Sequence, residues 1–596
     1  MGTILSTVKQ HDHEKIQLTI LHFNDVYNVE ETTENPCGGA ARFAGALAEL
    51  RSKNPDRTLL LFSGDLLGPS SLSMTTEGEH MVDLLNLLAV DCCVIGNHDF
   101  DFGTDNLLSC IQKSKFPWLN GNCYDTSSME LLCGLPPCHI IERGDVRIGL
   151  IGLIEPEWVD TLAVVDQGQV VVKDFCIEGR RLANELRISH DCHVIIALTH
   201  MRWPNDLRLA KEVPEIDLVL GGHDHNAGIE TVRCNDGTTR KVIKSGTDFR
   251  HLGYINLFID PQTKNLSKID AEIKAINKSW KPNEEIATFI NQVCTAGKER
   301  LDRVIGKVDV DLDGRFAMVR TQETNMGNFL ADVALTCVEA DCAVINSGCM
   351  RNDSVIPAGD FTLRQLSLIL PMLDSVIVLD VTGNDIVKVL ENGVSQVPKL
   401  EGRFPQVAQI TFSFRADRPK GQRVDPTSVQ IGGNPLVLEQ RYRLATTPFM
   451  ANGKDGYDVL VNKRRILDEE AGIPLSTAVI NYFRTINVLN GFIKLSSKHR
   501  HRLITMKERN RISLQVISIL QSKLAKTGSV EHSAAFWTQK TQQQNAAKKV
   551  ANAVTKGAEN VSPKDQWKKI RDALVELEKK QCKVAPKVEG RIVQLE

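Results

Sequence analysis

Five strand-length apolar runs in the N-terminal half of this sequence all end in residues whose side chains bind metal ions. The run ends lie at Asp25 in "ILHFNDVYN", Asp65 in "LLLFSGD", Asn97 and His98 in "CCVIGNHD", His200 in "VIIALTH", and His223 and His225 in "LVLGGHDH". One Asn or Asp after a strand is usually only a turn residue. Five coinciding ends instead indicate a ligand site, because ligands bind at the carboxyl ends of strands in open α/β sheets.

Length and composition restrict the class of protein. The 596 residues exceed one core, and a formal net charge of -3 gives no basic footprint for nucleic acid. Lys9, His11, Asp12 and His13 stand where a secretory apolar segment would lie. The 15 cysteines are odd in number and scattered, which favours buried thiols in a reducing compartment. We therefore expect a cytoplasmic protein that does not bind nucleic acid.

Apolar patterning predicts five segments along the chain. Strand and helix patterns alternate over 16–275, which is typical of an α/β domain. A helix start at Pro282 opens an apolar stripe that predicts a linker helix within 276–303. A second mixed domain follows over 304–495. The N-terminus, 1–15, is predicted to be flexible, and 496–596 is predicted to be a helical extension that begins with a basic run.

The N-terminal sequence "MGTILS" matches the pattern for N-myristoylation, with Gly2 as acceptor and Ser6 at the required position. One acyl chain gives only marginal membrane binding, so we expect at most a weak membrane association. Short patterns also match by chance, and an ordinary flexible N-terminus is the alternative.

The order and spacing of longer motifs resemble a known family. "NDVY", "SGDLLGPS", "GNHDFDFG", "ALTH" and "GGHDHN", followed by "RTQETNMGNFLADVAL", "INSGCMR", "GRFPQV" and "TTPFMANGKDGYDVL", are similar to successive blocks of the 5'-nucleotidase family of calcineurin-like metallophosphoesterases. The resemblance covers about 16–495. It implies a mixed α/β fold, with an N-terminal αββα sandwich and a C-terminal substrate-binding domain. The chain more closely resembles the cytosolic branch that includes mannosylglucosyl-3-phosphoglycerate phosphatase.

The resemblance implies a centre of two divalent or mixed-valence metal ions, bridged by Asp65. Carboxylate, amide and imidazole ligands suit Zn, Mn, Fe or Co. The first ion would be bound by Asp25 and His225 with Asp65, and the second by Asn97, His200 and His223. His98 and Asp101 match the family's catalytic pair, in which the His protonates the leaving oxygen or stabilises the phosphoryl group, and the Asp fixes its tautomer.

Tyr27 departs from the family pattern, which reads Asp-x-His where this sequence reads Asp-x-Tyr. Strand alternation predicts that Asp25 and Tyr27 point to the same side, so the phenol can face the first metal. The set Asp25, Tyr27, Asp65 and His225 would then be similar to the ferric site of purple acid phosphatases. The alternative is a neutral tyrosine beside the metal, with an extra water as ligand.

The second domain of the family binds the part of the substrate that does not react. Matching positions are Arg320, Asn346, Arg351, Phe449 and Asp455. Arginine suits phosphate and the Phe face suits a base. The family typically holds the base between two aromatic rings, but "LPMLDSVIVL", the segment expected to supply the first, contains none. We expect a small phosphorylated substrate, either a nucleotide or a phosphorylated sugar acid.

Two other functions fit parts of the sequence. The same metal core could serve a phosphodiesterase or a nucleotide-sugar pyrophosphohydrolase. A catalytically weakened scaffold that binds through its helical extension is the alternative from another class, supported by Tyr27 and the missing aromatic ring. The intact set of metal-ligand residues favours phosphomonoester hydrolysis, and metal analysis with a phosphate-release screen separates these readings.

Overall fold

The computed structural model describes residues 15–126, 128–157, 170–489 and 584–595. They form two compact units. The first unit comprises the described parts of Met1–Phe100, Asn106–Val159 and Val170–Gly297, and the second comprises the described parts of Asp101–Asp105, Asp160–Gln169 and Lys298–Glu596.

The elements up to Glu299 begin and end as follows. The strands are β1 (Ile16–Phe23), β2 (Thr58–Phe62), β3 (Cys92–Val94), β4 (Trp118–Leu119), β5 (Cys123–Asp125), β6 (Cys138–Arg143), β7 (Val146–Ile154), β8 (Val170–Val172), β9 (Val194–Met201), β10 (Leu218–His223), β11 (Ala227–Arg233), β12 (Thr239–Ser245), β13 (His251–Ile259) and β14 (Leu266–Ala275). The helices are α1 (Ala40–Arg51), α2 (Ser73–Thr76), α3 (Glu79–Leu88), α4 (Thr104–Lys113), α5 (Phe175–His190), α6 (Trp203–Glu212) and α7 (Glu284–Glu299).

Two six-stranded sheets make up the first unit. Their strand orders are β14-β13-β1-β2-β3-β4 and β11-β12-β10-β9-β7-β6. Strands β1 to β4 run parallel in one sheet, and β7, β9, β10 and β12 run parallel in the other. These strands are almost continuously apolar and buried, as expected for parallel strands covered on both faces. The predicted αββα arrangement is therefore confirmed.

Helices α5 and α6 cover one face of the second sheet. Apolar residues of both helices join residues of β7, β9, β10 and β12 in one buried cluster. The α5 helix begins after Asp174, whose carboxylate accepts hydrogen bonds from the backbone N–H groups of Cys176 (2.9 Å) and Ile177 (3.0 Å). Packing and capping together fix the outer helix layer and hold the sheet rigid behind the strand ends.

The second unit is a smaller α/β body. Its strands are β15 (Val304–Val308), β16 (Leu312–Asp313), β17 (Cys342–Asn346), β18 (Val355–Ile356), β19 (Gly359–Thr362), β20 (Ile377–Thr382), β21 (Pro405–Ala408), β22 (Ile410–Arg415), β23 (Gln430–Ile431), β24 (Asn434–Pro435), β25 (Arg441–Thr446), β26 (Arg464–Leu467) and β27 (Ile592–Leu595). Its helices are α8 (Phe316–Val319), α9 (Asn325–Thr336), α10 (Leu363–Ile369), α11 (Gly383–Val394), α12 (Pro448–Ala451) and α13 (Leu475–Leu489). A five-stranded sheet, β21-β17-β25-β20-β26, carries its main core.

The C-terminal residues differ from the predicted helical extension where the structure describes them. β27 pairs in parallel with β22 and becomes the edge of a four-stranded sheet. Glu323, which is buried, accepts hydrogen bonds from the backbone N–H groups of Glu589 and Arg591, both 2.8 Å long. The guanidinium group of Arg591 also forms a bidentate ion pair with Asp332. A short strand, held by buried charge, therefore lies where a helix was predicted.

Several predictions concern residues outside the described ranges. Acylation at Gly2 and the basic run from Lys498 to Arg511 are among them, as is most of the predicted extension over 496–596. None of the helices in the part of the chain that the structure describes combines the length and the apolarity needed to cross a bilayer.

The Glu323 carboxylate gives a test of how the C-terminal strand is held. We expect Glu323→Gln to lower the free energy of unfolding by about 1–3 kcal/mol, because an amide nitrogen cannot accept the N–H groups that the carboxylate oxygens accept. Urea unfolding of the full-length protein measures this. The exposed Glu439→Gln serves as control, and equal unfolding midpoints for the two variants would contradict the expected role.

Candidate active site

The polar ends of the predicted strands lie together because the strands are parallel and in register. In one sheet Phe62 is paired with Phe23 and with Cys93, so the chain leaves β1, β2 and β3 at one edge. In the other sheet His200 is paired with Gly222, so β9 and β10 also end together. The five strand ends of the sequence analysis form one site in the first unit.

The phenol of Tyr27 lies at the centre of the first group of predicted ligands. Its hydroxyl oxygen is 3.1 Å from Asp25 Oδ1, 3.1 Å from Asp65 Oδ2 and 3.0 Å from His225 Nε2. Ligands of one ion at bond lengths of about 2.1 Å are separated by about 3 Å in octahedral geometry. The hydroxyl also has one hydrogen, so it can satisfy only one of the two carboxylate oxygens. These four groups therefore fit a shared cation.

The prediction that strand alternation directs the Tyr27 phenol to the site is wrong. β1 ends at Phe23, and Asp25 has a φ of 53°, which is not extended backbone. The backbone N–H groups of Tyr27 and Asn28 are instead bound by the Asp248 carboxylate at 3.0 and 2.9 Å. A turn held by Asp248, and not strand alternation, directs the phenol to the site.

The second group of predicted ligands surrounds the same carboxylate. Ligand atoms of Asp65, His200 and His223 all lie within 4.8 Å of one another, and His200 Nε2 is 3.1 Å from Asp65 Oδ2. Asn97 Oδ1 and His223 Nδ1 are buried and have no hydrogen-bond partner among the described residues. Buried polar atoms are normally paired, so two such atoms beside a carboxylate fit a second metal ion.

The backbone at this site is strained. Asp25, Asp65 and His223 have φ values of 53°, 63° and 77°, in the left-handed region that favours glycine. Such conformations cost free energy and persist where the surrounding structure requires them. Neighbouring glycines allow the close approach: a Cβ at Gly96 would collide with the Asp65 carboxylate. Strain at three predicted ligands favours a functional explanation over simple turns.

Burial and charge set the protonation states of the site. Burial alone would raise the pKa of Asp65, but the charges of His200 and His98 lower it to about 2, so this carboxylate stays ionised. Burial lowers the pKa of His223 well below its usual value, which keeps the imidazole neutral, the form that binds metals. Burial and the nearby Asp65 and Asp25 raise the pKa of the Tyr27 phenol well above 10.

Asp99 fixes the turns that follow β2 and β3. Its carboxylate accepts hydrogen bonds from the backbone N–H groups of Gly96 (2.6 Å), Leu66 (2.7 Å) and Leu67 (3.1 Å). The backbone N–H of His98 in turn donates to Asp65 Oδ1 at 2.8 Å. The two turns that carry Asp65 and Asn97 are therefore held to each other by short polar contacts.

Sequence reasoning missed Glu155, which follows β7 in "LIGLIEPE". This carboxylate is fully buried, and its Oε1 lies 3.5 Å from His223 Nε2. Its Oε2 accepts hydrogen bonds from Arg202 N (2.7 Å) and Asn205 Nδ2 (2.8 Å). Glu155 is a sixth strand end in a carboxylate, the signal that could have identified it. Its position suits an acceptor that keeps His223 Nδ1 turned toward a metal.

The predicted catalytic pair lies in the turn after β3. His98 is buried, and its ring is in edge contact with that of Tyr27, with centroids 6.0 Å apart. Asp101, three residues later, is also buried. The assignment of Asp101 as the partner of the His98 imidazole stays a prediction.

The second unit brings several predicted substrate residues together. Burial lowers the pKa of Arg320. The charge of Arg351 lowers this pKa further, and the charge of Asp455 raises it. The Arg320 guanidinium lies 3.7 Å from the centroid of the Phe316 ring. β17 ends at Asn346. The segment after β17 is joined to the segment before β21 by a hydrogen bond from the Gly348 N–H to the Gly402 carbonyl. A Cβ at Gly402 would be 3.5 Å from Asp455 Oδ2.

Phe449 presents an exposed aromatic face in the short helix α12. Its side chain is 37% exposed, which is unusual for a phenylalanine in a folded domain. In the segment "LPMLDSVIVL", the exposed apolar residue is Met372, at 47%. The structure therefore offers one free ring face for stacking at the predicted position.

Comparisons with known proteins match a part of each unit to a family model. Residues 18–227 match the family model for calcineurin-like phosphoesterases, and residues 304–462 match the model for the 5'-nucleotidase C-terminal domain. Human 5'-nucleotidase is 25% identical over 536 residues, which are 81% of this chain and 92% of that protein. The snake venom 5'-nucleotidase of Gloydius brevicauda is 28% identical over 496 residues, 74% and 82% of the two chains.

Two further similarities add detail. The trifunctional nucleotide phosphoesterase YfkN of Bacillus subtilis is 27% identical over 482 residues, or 74% of this chain, which spans only 32% of YfkN. The structure of Haemophilus influenzae NAD nucleotidase superposes with a TM-score of 0.66 at 19% identity, covering 79% of this chain and 96% of that one. At that identity the superposition supports the fold alone.

Glu155 gives a direct test of the metal centre. We expect Glu155→Gln to weaken metal binding by about 10–100-fold, because the amide can keep the contacts to Arg202 and Asn205 but not the negative charge that lies 3.5 Å from His223 Nε2. Chelator competition with Zn²⁺ or Mn²⁺ measures the affinity. The exposed neighbour Glu157→Gln is the matched control. Equal affinities in both variants would remove Glu155 from the account.

Proposed function

This chain belongs to the 5'-nucleotidase family of calcineurin-like phosphoesterases, and we propose that it is a binuclear metal-dependent phosphomonoesterase. The substrate is a nucleotide or a phosphorylated sugar acid, from which the enzyme releases phosphate. The observation that carries the proposal is the position of Asp65. One of its oxygens lies 3.1 Å from both Tyr27 and His200, which belong to the two predicted ligand groups.

The residues of the site would hold two metal ions with Asp65 between them. Asp25, His225 and Asp65 would bind the first ion, and Asn97, His200, His223 and Asp65 would bind the second. Zn, Mn, Fe and Co all suit these ligands. When bound, such a pair of ions holds phosphate, lowers the pKa of water and neutralises charge on the leaving oxygen.

The protein supplies the proton and the orientation. His98 holds a proton for the leaving oxygen of the substrate, and Asp101 fixes the tautomer of that imidazole. The buried setting of His98, next to the Tyr27 ring, excludes bulk water from the proton. Asp99 and Asp65 bind the backbone N–H groups of Gly96 and His98 and so hold the turn that carries the His98 ring.

The second unit binds the part of the substrate that does not react. Arg320 and Arg351 bind anionic groups, Asn346 and Asp455 accept or donate hydrogen bonds to hydroxyl groups, and Phe449 stacks on a flat ring. Stacking on one face contributes about 1–3 kcal/mol per base. With a methionine exposed in place of a second ring, the preference for a base is weakened, and a phosphorylated sugar acid competes with a nucleotide as substrate.

Asp65 and His98 test the proposed chemistry together. Asp65→Ala is expected to abolish phosphate release and lower the bound metal, whereas His98→Ala keeps the metal and loses about 100-fold or more in rate. The screen uses nucleoside monophosphates and phosphorylated sugar acids, with metal analysis of each preparation. The exposed Asp83→Ala on α3 is the control. Wild-type rates in Asp65→Ala would refute the assignment, and a purified wild-type protein that releases no phosphate would favour the scaffold.

We further propose that Tyr27 is itself a ligand of the first metal. Its hydroxyl lies about as far from three predicted ligand atoms as the ligands of one ion lie from each other. A phenol ionises at neutral pH only beside a strong cation, and Fe(III) is the biological ion most suited to it.

Visible spectroscopy of the iron-loaded protein tests this ligand. We expect a tyrosinate-to-iron charge-transfer band that disappears in Tyr27→Phe and persists in Tyr124→Phe, a control in β5 whose hydroxyl contacts Glu178. Colourless protein with its full content of iron, or a band retained in Tyr27→Phe, would show that the phenol remains neutral beside the metal.

A further inference from the structure

Lys244 carries an ammonium group that is completely buried at the ends of β9 and β10. It lies on β12, paired with Gly221 of β10, and its side chain is 0% exposed. A buried ammonium costs free energy unless it is paired and hydrogen-bonded. Most lysines lie at the surface, so the position of this one calls for an explanation that the proposed chemistry does not supply.

The ammonium is fully used by specific contacts. It donates hydrogen bonds to the backbone carbonyl groups of Met201 (2.5 Å) and Gly222 (2.7 Å) and to Asp224 Oδ2 (2.6 Å). It also lies 2.9 Å from Oδ2 of Asp206, whose carboxylate is fully buried, whereas that of Asp224 is 14% exposed. Three N–H groups therefore meet two carbonyls and two carboxylates.

Every hydrogen-bond acceptor of Lys244 is next to a predicted imidazole ligand. Met201 follows His200, Gly222 precedes His223, and Asp224 lies between His223 and His225. His200 and Gly222 are also paired across β9 and β10. One ammonium thus ties together the two strand ends that carry the three predicted imidazole ligands.

Both carboxylates have further anchors in the same layer. Asp206 Oδ1 accepts a hydrogen bond from the Thr199 hydroxyl at 2.5 Å, and Asp224 Oδ2 accepts one from Trp203 N at 2.7 Å. The cluster of one ammonium and two carboxylates has a net charge of -1. This sign suits a position beneath two cations, whereas an uncompensated ammonium would repel them.

A simple ion pair would account for the carboxylates but not for the carbonyls. Charge balance for one ammonium requires only one carboxylate, while the bonds to Met201 and Gly222 fix backbone next to predicted imidazole ligands. The cluster is packed closely against β10, because a Cβ at Gly221 would be 2.7 Å from Asp206 Oδ2 and 3.0 Å from Lys244 Cε.

We propose that Lys244 is a positioning residue for the metal centre: through its ammonium group it orients the backbone around His200, His223 and His225. The inference rests on the proposed function, since it requires that these imidazoles bind metal. It assigns a role to a residue outside the family motifs, on a strand that contributes no ligand.

A pair of variants separates positioning from charge balance. Lys244→Met removes the ammonium and leaves Asp206 and Asp224 uncompensated, which is expected to destabilise the metal-free protein. The double variant Lys244→Met/Asp206→Asn restores the wild-type net charge of -1 in this cluster but does not restore the contacts to the carbonyl groups of Met201 and Gly222. Lys241→Met, on the same strand with only a contact to Thr231, is the control.

Two quantities are measured for the full-length chain: the Tm of the metal-free protein and the affinity for Mn²⁺ by chelator competition. In the double variant we expect a Tm near the wild-type value with Mn²⁺ binding still about 10–100-fold weaker. The same variant should lose kcat more than KM changes, because the substrate residues of the second unit are untouched.

The opposing outcomes are distinct. A double variant that binds Mn²⁺ as tightly as the wild type would show that Lys244 only balances charge and would overturn the inference alone. A wild-type protein that binds no Mn²⁺, Zn²⁺ or iron would overturn the proposed function and this inference with it.

Discussion

The Asp65 carboxylate is the group on which the rest of this structure depends. It follows a fully buried strand of the first sheet and has a left-handed backbone conformation, which favours glycine and which Asp tolerates better than most other residues. Its two oxygens contact the backbone of His98, the phenol of Tyr27 and the imidazole of His200. Parallel strands bring these partners to one edge, and the carboxylate joins the two predicted ligand groups there.

Several features of this site oppose folding, and hydrogen bonds around it offset them. Left-handed φ values at three predicted ligands, buried carboxylates and unpaired buried ligand atoms all oppose folding. Asp99, Asp248 and Lys244 stabilise the same turns through short hydrogen bonds to backbone groups. A set of ligands that is rigid before the ions bind needs little reorganisation during the reaction, which is what electrostatic stabilisation of a transition state requires.

Part of this arrangement could be predicted from the sequence, and the limits are physical. The strand runs and their polar ends were visible because apolar periodicity and strand ends are local features. The route of the chain after β1 was not: the alternation expected at Asp25 and Tyr27 gives way to a turn bound by Asp248, which is distant in sequence. Glu155 was missed although its strand end resembles the others, and Lys244 gave no signal, since only the fold brings it to its partners.

The C-terminal strand shows the same limit. "IVQL" is too short and too weakly patterned to predict, and its place in the sheet depends on Glu323 and on pairing with β22. Family motifs that carry the substrate residues were visible, and so was the lack of a second ring, because "LPMLDSVIVL" contains no aromatic residue. The structure adds that Met372 of this segment is exposed. Substrate preference thus depends on details of one small surface.

Anomalous X-ray diffraction from crystals of the full-length protein grown with Mn²⁺ is the direct test of a two-metal centre bridged by Asp65. We expect two anomalous peaks about 4 Å apart, with the Asp65 carboxylate between them. One peak should lie beside Asp25 and His225, and the other beside His200 and His223. A single peak, or none within bonding distance of Asp65, would contradict a binuclear centre bridged by this residue.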